Sequence, residues 1–254
     1  MRNFILIFAL FFLSSLSISA TEKEYPVDSF RKVIVSPHIQ VNFIKSNESK
    51  VVIDKIGVSI DKMNVEVVGN TLRLYLDDAK IVTKTVKEKG ENYVATKPIY
   101  PRKTVKATVY YRHIDELSLR GEETFVCESP IEQANLRLKI YGESQVYLNK
   151  VDLTKLEATI YGESYLKIVE GTTTNQKFKA YGESVIDASD IKNKNTKIVA
   201  YGDGSYRINV SGELKVTSYG EAKIAFEGNP KVNKGIVLGE ATIQQKQICT
   251  QQIR

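Results

Sequence analysis

A four-residue motif returns along this chain at a nearly constant interval, and that interval constrains the fold more than any other feature. Tyr141-Gly142-Glu143-Ser144 recurs as Tyr161-Gly162-Glu163-Ser164 and Tyr181-Gly182-Glu183-Ser184. It decays to Tyr201-Gly202-Asp203-Gly204, Tyr219-Gly220-Glu221-Ala222 and Leu238-Gly239-Glu240-Ala241, with an upstream copy at Arg120-Gly121-Glu122-Glu123. The glycines step by 21, 20, 20, 20, 18 and 19 residues. Helical-pair repeats run to 33 residues or more, and the Leu/Asn signature of leucine-rich repeats is missing. A coil of short strands remains, each turn hydrogen-bonding to the next.

Apolar residues keep register with the glycines. Four positions before Gly stand Leu117, Leu138, Ala158, Phe178, Ile198 and Val216. Two before stand Leu119, Ile140, Ile160, Ala180, Ala200 and Val237, with Ser218 as the exception. Four after stand Phe125, Val146, Leu166, Ile186, Tyr206, Ile224 and Ile243. Six after stand Cys127, Leu148, Ile168, Ala188, Ile208 and Phe226. A period of two marks strands with one buried face. The expected fold is therefore an all-β parallel β-helix, a solenoid with turns of about 20 residues. The same parity turns the motif Gly and the small residue two after it (Ser144, Ser164, Ser184, Gly204, Ala222, Ala241) inward at a tight corner. Tyr and the acidic residue then face outward. They should stack into two ladders at about 4.8 Å per turn: Tyr141, Tyr161, Tyr181, Tyr201 and Tyr219 beside Glu122, Glu143, Glu163, Glu183, Asp203, Glu221 and Glu240.

The flanks divide the chain. Residues 1–20 (MRNFILIFALFFLSSLSISA) read as a secretory signal peptide: Arg2, an apolar core from Phe4 to Leu13, then small or polar residues. Cleavage fits after either Ser19 or Ala20, and no Cys at the junction indicates a lipoprotein anchor. The core is short of the roughly 20 apolar residues a span needs, and no second stretch reaches that length. Residues 21–29 read as a linker, 30–245 as one solenoid and 246–254 as a polar tail. Residues 30–76 alternate without the motif and are expected to form the first, less regular turns. Residues 77–104, Lys-rich with Gly90, Pro98 and Pro101, read as an excursion from the coil.

The formal charge is +6, and Lys and Glu are scattered, which indicates a solvated surface rather than a nucleic-acid partner. His38 and His113 lack metal-ligand spacing. Cys127 and Cys249 belong to turns about 29 Å apart, beyond the roughly 7 Å a disulfide spans. The carboxylate ladder should repel itself unless Lys, cations or solvent offset it, and it lacks the Gly-Gly-x-Gly-x-Asp pattern of calcium-binding coils. The acidic residues repeat once per turn, as structural motifs do, whereas a catalytic pair would be irregular and sit in a cleft. No catalytic, metal or cofactor residue is assigned.

The opening Phe30-Arg31-Lys32-Val33-Ile34-Val35, Ile39-Gln40-Val41, Val67-Val68-Gly69-Asn70-Thr71-Leu72, the Gly-centred repeats and Glu227-Gly228-Asn229-Pro230-Lys231-Val232 together resemble the "putative autotransporter adhesin, head GIN domain" family of exported bacterial proteins. The resemblance runs from about Phe30 to Gln245. It implies a right-handed parallel β-helix, export and a largely uncharacterised role, with no catalytic residues to carry over. Members show small-Gly-small-Gly corners; here Tyr and Glu flank the first Gly, and Ser or Ala usually stands for the second. The expected function is a non-catalytic, adhesin-like surface or periplasmic module. Its contact face is Tyr141, Tyr161, Tyr181, Tyr201, Tyr219, Glu143, Glu163, Glu183, Asp203 and Glu221. Its partner is a glycan, a cell-envelope polymer or another envelope protein. The alternative is a polysaccharide-active β-helix enzyme.

Overall fold

The computed structural model describes residues 22–89, 94–101 and 103–246. The export signal at 1–20, Gly90, Cys249 and nearly all of the polar tail lie outside the described residues. Among the described residues no helix is long and apolar enough to cross a membrane.

The motif region is a regular parallel coil. Its strands are β10 (Glu116–Gly121), β11 (Thr124–Cys127), β12 (Ile131–Gly142), β13 (Gln145–Gly162), β14 (Tyr165–Tyr181), β15 (Val185–Ala188), β16 (Ile191–Tyr201), β17 (Gly204–Asn209), β18 (Glu213–Tyr219), β19 (Ala222–Glu227), β20 (Lys231–Leu238) and β21 (Ala241–Gln245). Their registers carry the repeat into space: Tyr141 pairs with Tyr161, Tyr161 with Tyr181, Tyr181 with Tyr201, and Tyr201 with Tyr219. The sequence repeat is thus a β-solenoid of about 20 residues per turn. Leu138, Ala158, Phe178 and Ile198 form one continuous buried column, and Ile140, Ile160, Ala180 and Ala200 the next. Phe178 lies in the turn where the second column narrows to Ala180, so a large ring meets a small neighbour and the interior stays filled.

Two levels depart from the apolar pattern. Thr173, Gln176, Asn193 and Thr196 are buried. They pair with one another, leaving only Gln176 Oε1 unpartnered: Thr173 Oγ1 donates to Asn193 Oδ1 at 3.0 Å, and Gln176 Nε2 to Thr196 Oγ1 at 2.9 Å. Buried polar groups are tolerated when paired in this way.

The first part of the chain is not threaded in sequence order. Its strands are β1 (Lys23–Pro26), β2 (Lys32–Val35), β3 (Ile39–Lys45), β4 (Lys50–Ile56), β5 (Met63–Val68), β6 (Thr71–Leu76), β7 (Thr85–Lys89), β8 (Val94–Pro98) and β9 (Val105–Tyr111). Strand β2 lies between β6 and β10, and β3 between β9 and β11, all parallel. The stack therefore starts at β6 and β9, continues through β2 and β3, and only then enters the motif turns. Residues 30–76, with β9, do form the first, less regular levels, but not in sequence order, since β2 and β3 lie inside β6 and β9. Antiparallel β4 covers β9, and antiparallel β5 covers β6, so the end of the parallel coil is closed by hairpin-like neighbours. The link from β9 to β10 steps past one level. Arg31 clamps it, donating to Asp115 through Nε at 2.6 Å and Nη2 at 3.0 Å.

One boundary differs from expectation, and the expected excursion carries structure of its own. The span 21–29, expected to be a linker, contains β1, antiparallel to β4. The excursion 77–104 is not irregular throughout: β7 and β8 pair as an antiparallel hairpin apart from the main sheet. Its roots are tied to the core, with Ala79 and Tyr100 buried and Tyr100 Oη donating to the carbonyl of Asp77 at 2.9 Å.

Candidate functional site: the tyrosine and carboxylate ladders

At each corner the chain must turn through a backbone conformation that L side chains avoid. Gly142 and Gly162 have φ of +97° and +114°. A Cβ built on either would lie 2.4 Å from the carbonyl oxygen of the glycine one turn back. Glycine is needed for both reasons. That carbonyl is also the anchor of the corner. Gly142 O accepts the Glu163 amide at 3.0 Å and the Ser164 hydroxyl at 2.9 Å. Ser144 and Ser184 repeat the hydroxyl bond to Gly121 and Gly162. All three serines are buried, as their parity predicts.

With Gly and Ser fixed inside, Tyr and the acidic residue are forced out on either side. Ring centroids along the tyrosine ladder are 5.1, 4.9, 4.8 and 4.8 Å apart, with interplanar angles of 7°, 2°, 5° and 4°. Tyr161 is 41% exposed and Tyr201 36%. The Lys179 ammonium lies 5.0 Å from the Tyr181 ring centroid, and the Arg120 guanidinium, standing where the upstream copy has no Tyr, lies 5.4 Å from that of Tyr141. The contact is cation–π in kind.

Glu143, Glu163, Glu183, Asp203 and Glu221 are all exposed. Among the described residues, none of Glu143, Glu163, Glu183 and Glu221 has a Lys or Arg ion-pair partner, so solvent rather than lysine screens this ladder. Asp203 accepts the amide of Glu221 at 3.2 Å. The lower part of the ladder forms a shallow concavity of about 330 Å³ with Ser205 and Lys223 on its wall. Among the described residues no three His, Cys, Asp or Glu side chains converge as a metal ion requires. All ten residues expected on the contact face thus lie along two adjacent columns of one side of the coil.

The groups outside the ladders have structural partners. His38 is buried, and its Nε2 lies 2.6 Å from Thr83 Oγ1; burial lowers its pKa. His113 Nε2 lies 2.8 Å from Asp115. Cys127 is buried and its thiol pushed up to about 12, which leaves it inert. One carboxylate escaped the repeat reading. Glu123 replaces the corner Ser, is buried, and accepts the amides of His38 at 3.0 Å and Glu122 at 2.8 Å.

The profile of the family described as "Putative auto-transporter adhesin, head GIN domain" matches residues 29–230. The chain belongs to this family. Solved structures share the fold of this head GIN chain. A protein described as a putative adhesin from Bacteroides fragilis superposes with a TM-score of 0.74 at 20% identity, covering 89% of this chain and 96% of its own. One from Parabacteroides distasonis, likewise described as a putative adhesin, gives 0.62 at 18% identity over 89% and 96%. A third, described as a putative lipid binding protein from the same species, gives 0.65 at 17% identity over the same shares. Comparison with curated proteins gives no match. At these identities the shared property is the fold. None of the three relatives is described as an enzyme, and membership of an adhesin family points to an exported or surface protein.

Proposed function

We propose that this head GIN protein is exported to the periplasm, the cell surface or beyond, where it works as a non-catalytic, adhesin-like module. It holds a glycan or an extended cell-envelope polymer along its tyrosine and carboxylate ladders. The observation that carries this reading is the unbroken stack of five tyrosines with exposed edges beside unpaired carboxylates. Tyr offers a broad apolar face and a polar tip, which suits partners rich in hydroxyls. Carboxylates that no lysine occupies are free to accept hydrogen bonds from such a partner. The platform is long, flat and preformed, so an extended chain can lie on it with little ordering cost to the protein.

The test is a binding screen of the mature protein against glycans and envelope extracts, repeated with the Tyr161→Ser/Tyr181→Ser variant. Binding that the double variant loses while keeping its β-sheet spectrum supports the contact face; binding that it retains removes it. The same panel is assayed for cleavage. Released product would replace the binding module with a polysaccharide-active enzyme.

A further inference from the structure

The tyrosine column continues past Arg120, and there it has a missing rung. One residue beyond the register partners Leu74, Val35 and Leu119 come Tyr75, Ser36 and Arg120, on three successive levels. Tyr75 and Arg120 therefore stand about 10 Å apart, two strand spacings, with only a serine between them. The gap opens as a cavity of about 200 Å³ lined by Ile34, Ser36, Arg73, Tyr75, Lys80, Ile81 and Arg120.

The charges around it are unbalanced. Lys80 is engaged: its ammonium is 3.2 Å from Glu66 and 4.2 Å from the Tyr75 ring centroid. Arg73 and Arg120 lack an acidic partner, although the Arg120 guanidinium rests on the Tyr141 ring at 5.4 Å. The Nε of each is buried without a hydrogen-bond partner, and neither guanidinium has an ion-pair partner among the described residues. Two guanidinium groups, each with a sequestered donor left unmade, border one small cavity. A buried donor left without a partner costs about 1–3 kcal/mol, and water, an ion or a ligand group can meet it. Guanidinium forks match carboxylate and sulfate oxygens. The Tyr75 ring and Ile34 add apolar surface for the face of a ring.

We infer that this slot at the head of the ladder is a binding site for one acidic sugar unit, its carboxylate or sulfate held by Arg73 and Arg120 and its ring set against Tyr75. None of the five ladder tyrosines lines the cavity, although Tyr141 backs Arg120, so the site stands or falls separately from the contact face proposed above.

The experiment titrates the full-length mature protein, at low ionic strength, with glucuronate, inorganic sulfate and glucose. Glucuronate is expected to saturate one site, to bind more tightly than sulfate, and to be excluded by salt; glucose is expected not to bind. Arg73→Gln and Arg120→Gln should each weaken glucuronate by tenfold or more, the fold-change that follows from one lost charge-assisted hydrogen bond. Arg120→Lys keeps the charge without the fork and should fall between, which guards against a Gln variant that folds poorly. Tyr161→Ser should leave glucuronate binding unchanged. Equal affinity for sulfate and glucuronate would overturn the sugar assignment. No saturable binding, or binding indifferent to both arginines, would overturn the site.

Discussion

The corner glycine shows how little freedom one position has. Gly162 combines a φ of +114° with a backbone oxygen 2.4 Å from where a Cβ would sit. Gly162→Ala should therefore cost about 2 kcal/mol or more, from strain and clash together. Gly69, in the β5–β6 turn, has a φ of +61° and open space around it. Asn tolerates that conformation, so Gly69→Asn should cost less than about 1 kcal/mol. Urea unfolding of both variants makes the comparison. The need for glycine was legible from the repeat; the reasons for its decayed copies were not. Tyr201-Gly202-Asp203-Gly204 lacks the Ser because a Cβ at 204 would meet the buried Tyr206 ring at 2.7 Å. Arg120-Gly121-Glu122-Glu123 lacks it because the Glu123 carboxylate folds back under Gly121. Both depend on a side chain curling toward the corner, which spacing cannot reveal. His38 gives a pH prediction at the same scale. Burial lowers its folded pKa below the unfolded value of about 6.5. The neutral ring thus contributes stability that is full above that value and is lost as pH falls through the folded pKa. His38→Asn, which accommodates the positive φ of 72°, should flatten the stability–pH curve just below pH 6.5. An unchanged slope would show that another group titrates there.

At the scale of the element, stacking and position can be separated. Tyr181 stacks on Tyr161 at 4.9 Å and on Tyr201 at 4.8 Å, whereas Tyr219 is the last tyrosine of the ladder and stacks on Tyr201 alone. Each stacked pair is worth about 0.5–1.5 kcal/mol. Tyr181→Ala should then destabilise by about 1–3 kcal/mol and Tyr219→Ala by about half as much. Equal losses in denaturant melts would mean that burial, not stacking, holds the ladder. The ladder was readable because strand parity is strict: once Gly was placed inside, Tyr and Glu had to face out. Two features escaped because pattern does not encode them. Strands β7 and β8 carry polar residues on both faces, Lys87 and Thr96 on one and Glu88 and Lys97 on the other, so their hairpin has no buried stripe to read. Arg73, Ser36 and Tyr75 belong to no repeat; only Arg120, standing at the tyrosine position of the upstream copy, marked where the ladder changes.

For the whole molecule, the coil was legible and its threading was not. An alternating strand declares which face is buried but not which neighbours it will take. Thus β2 and β3, ahead of β6 and β9 in the sequence, lie one level in from the end, and β6 and β9 lie outside them. A solenoid's stability is a sum of its turns and their interfaces, so the antiparallel β4 and β5 matter as an end cap that blunts an open edge. Ladders, slot and contact face all require that successive corners lie one strand spacing apart. Paired cysteines measure this in a Cys249→Ser background. Glu163→Cys with Glu183→Cys places the thiols on adjacent levels, at about 4.8 Å and inside the range a disulfide spans. Glu163→Cys with Asp203→Cys doubles that distance. The stacked coil predicts an intramolecular bridge on mild oxidation in the first protein and none in the second; bridging in the second but not the first would contradict it.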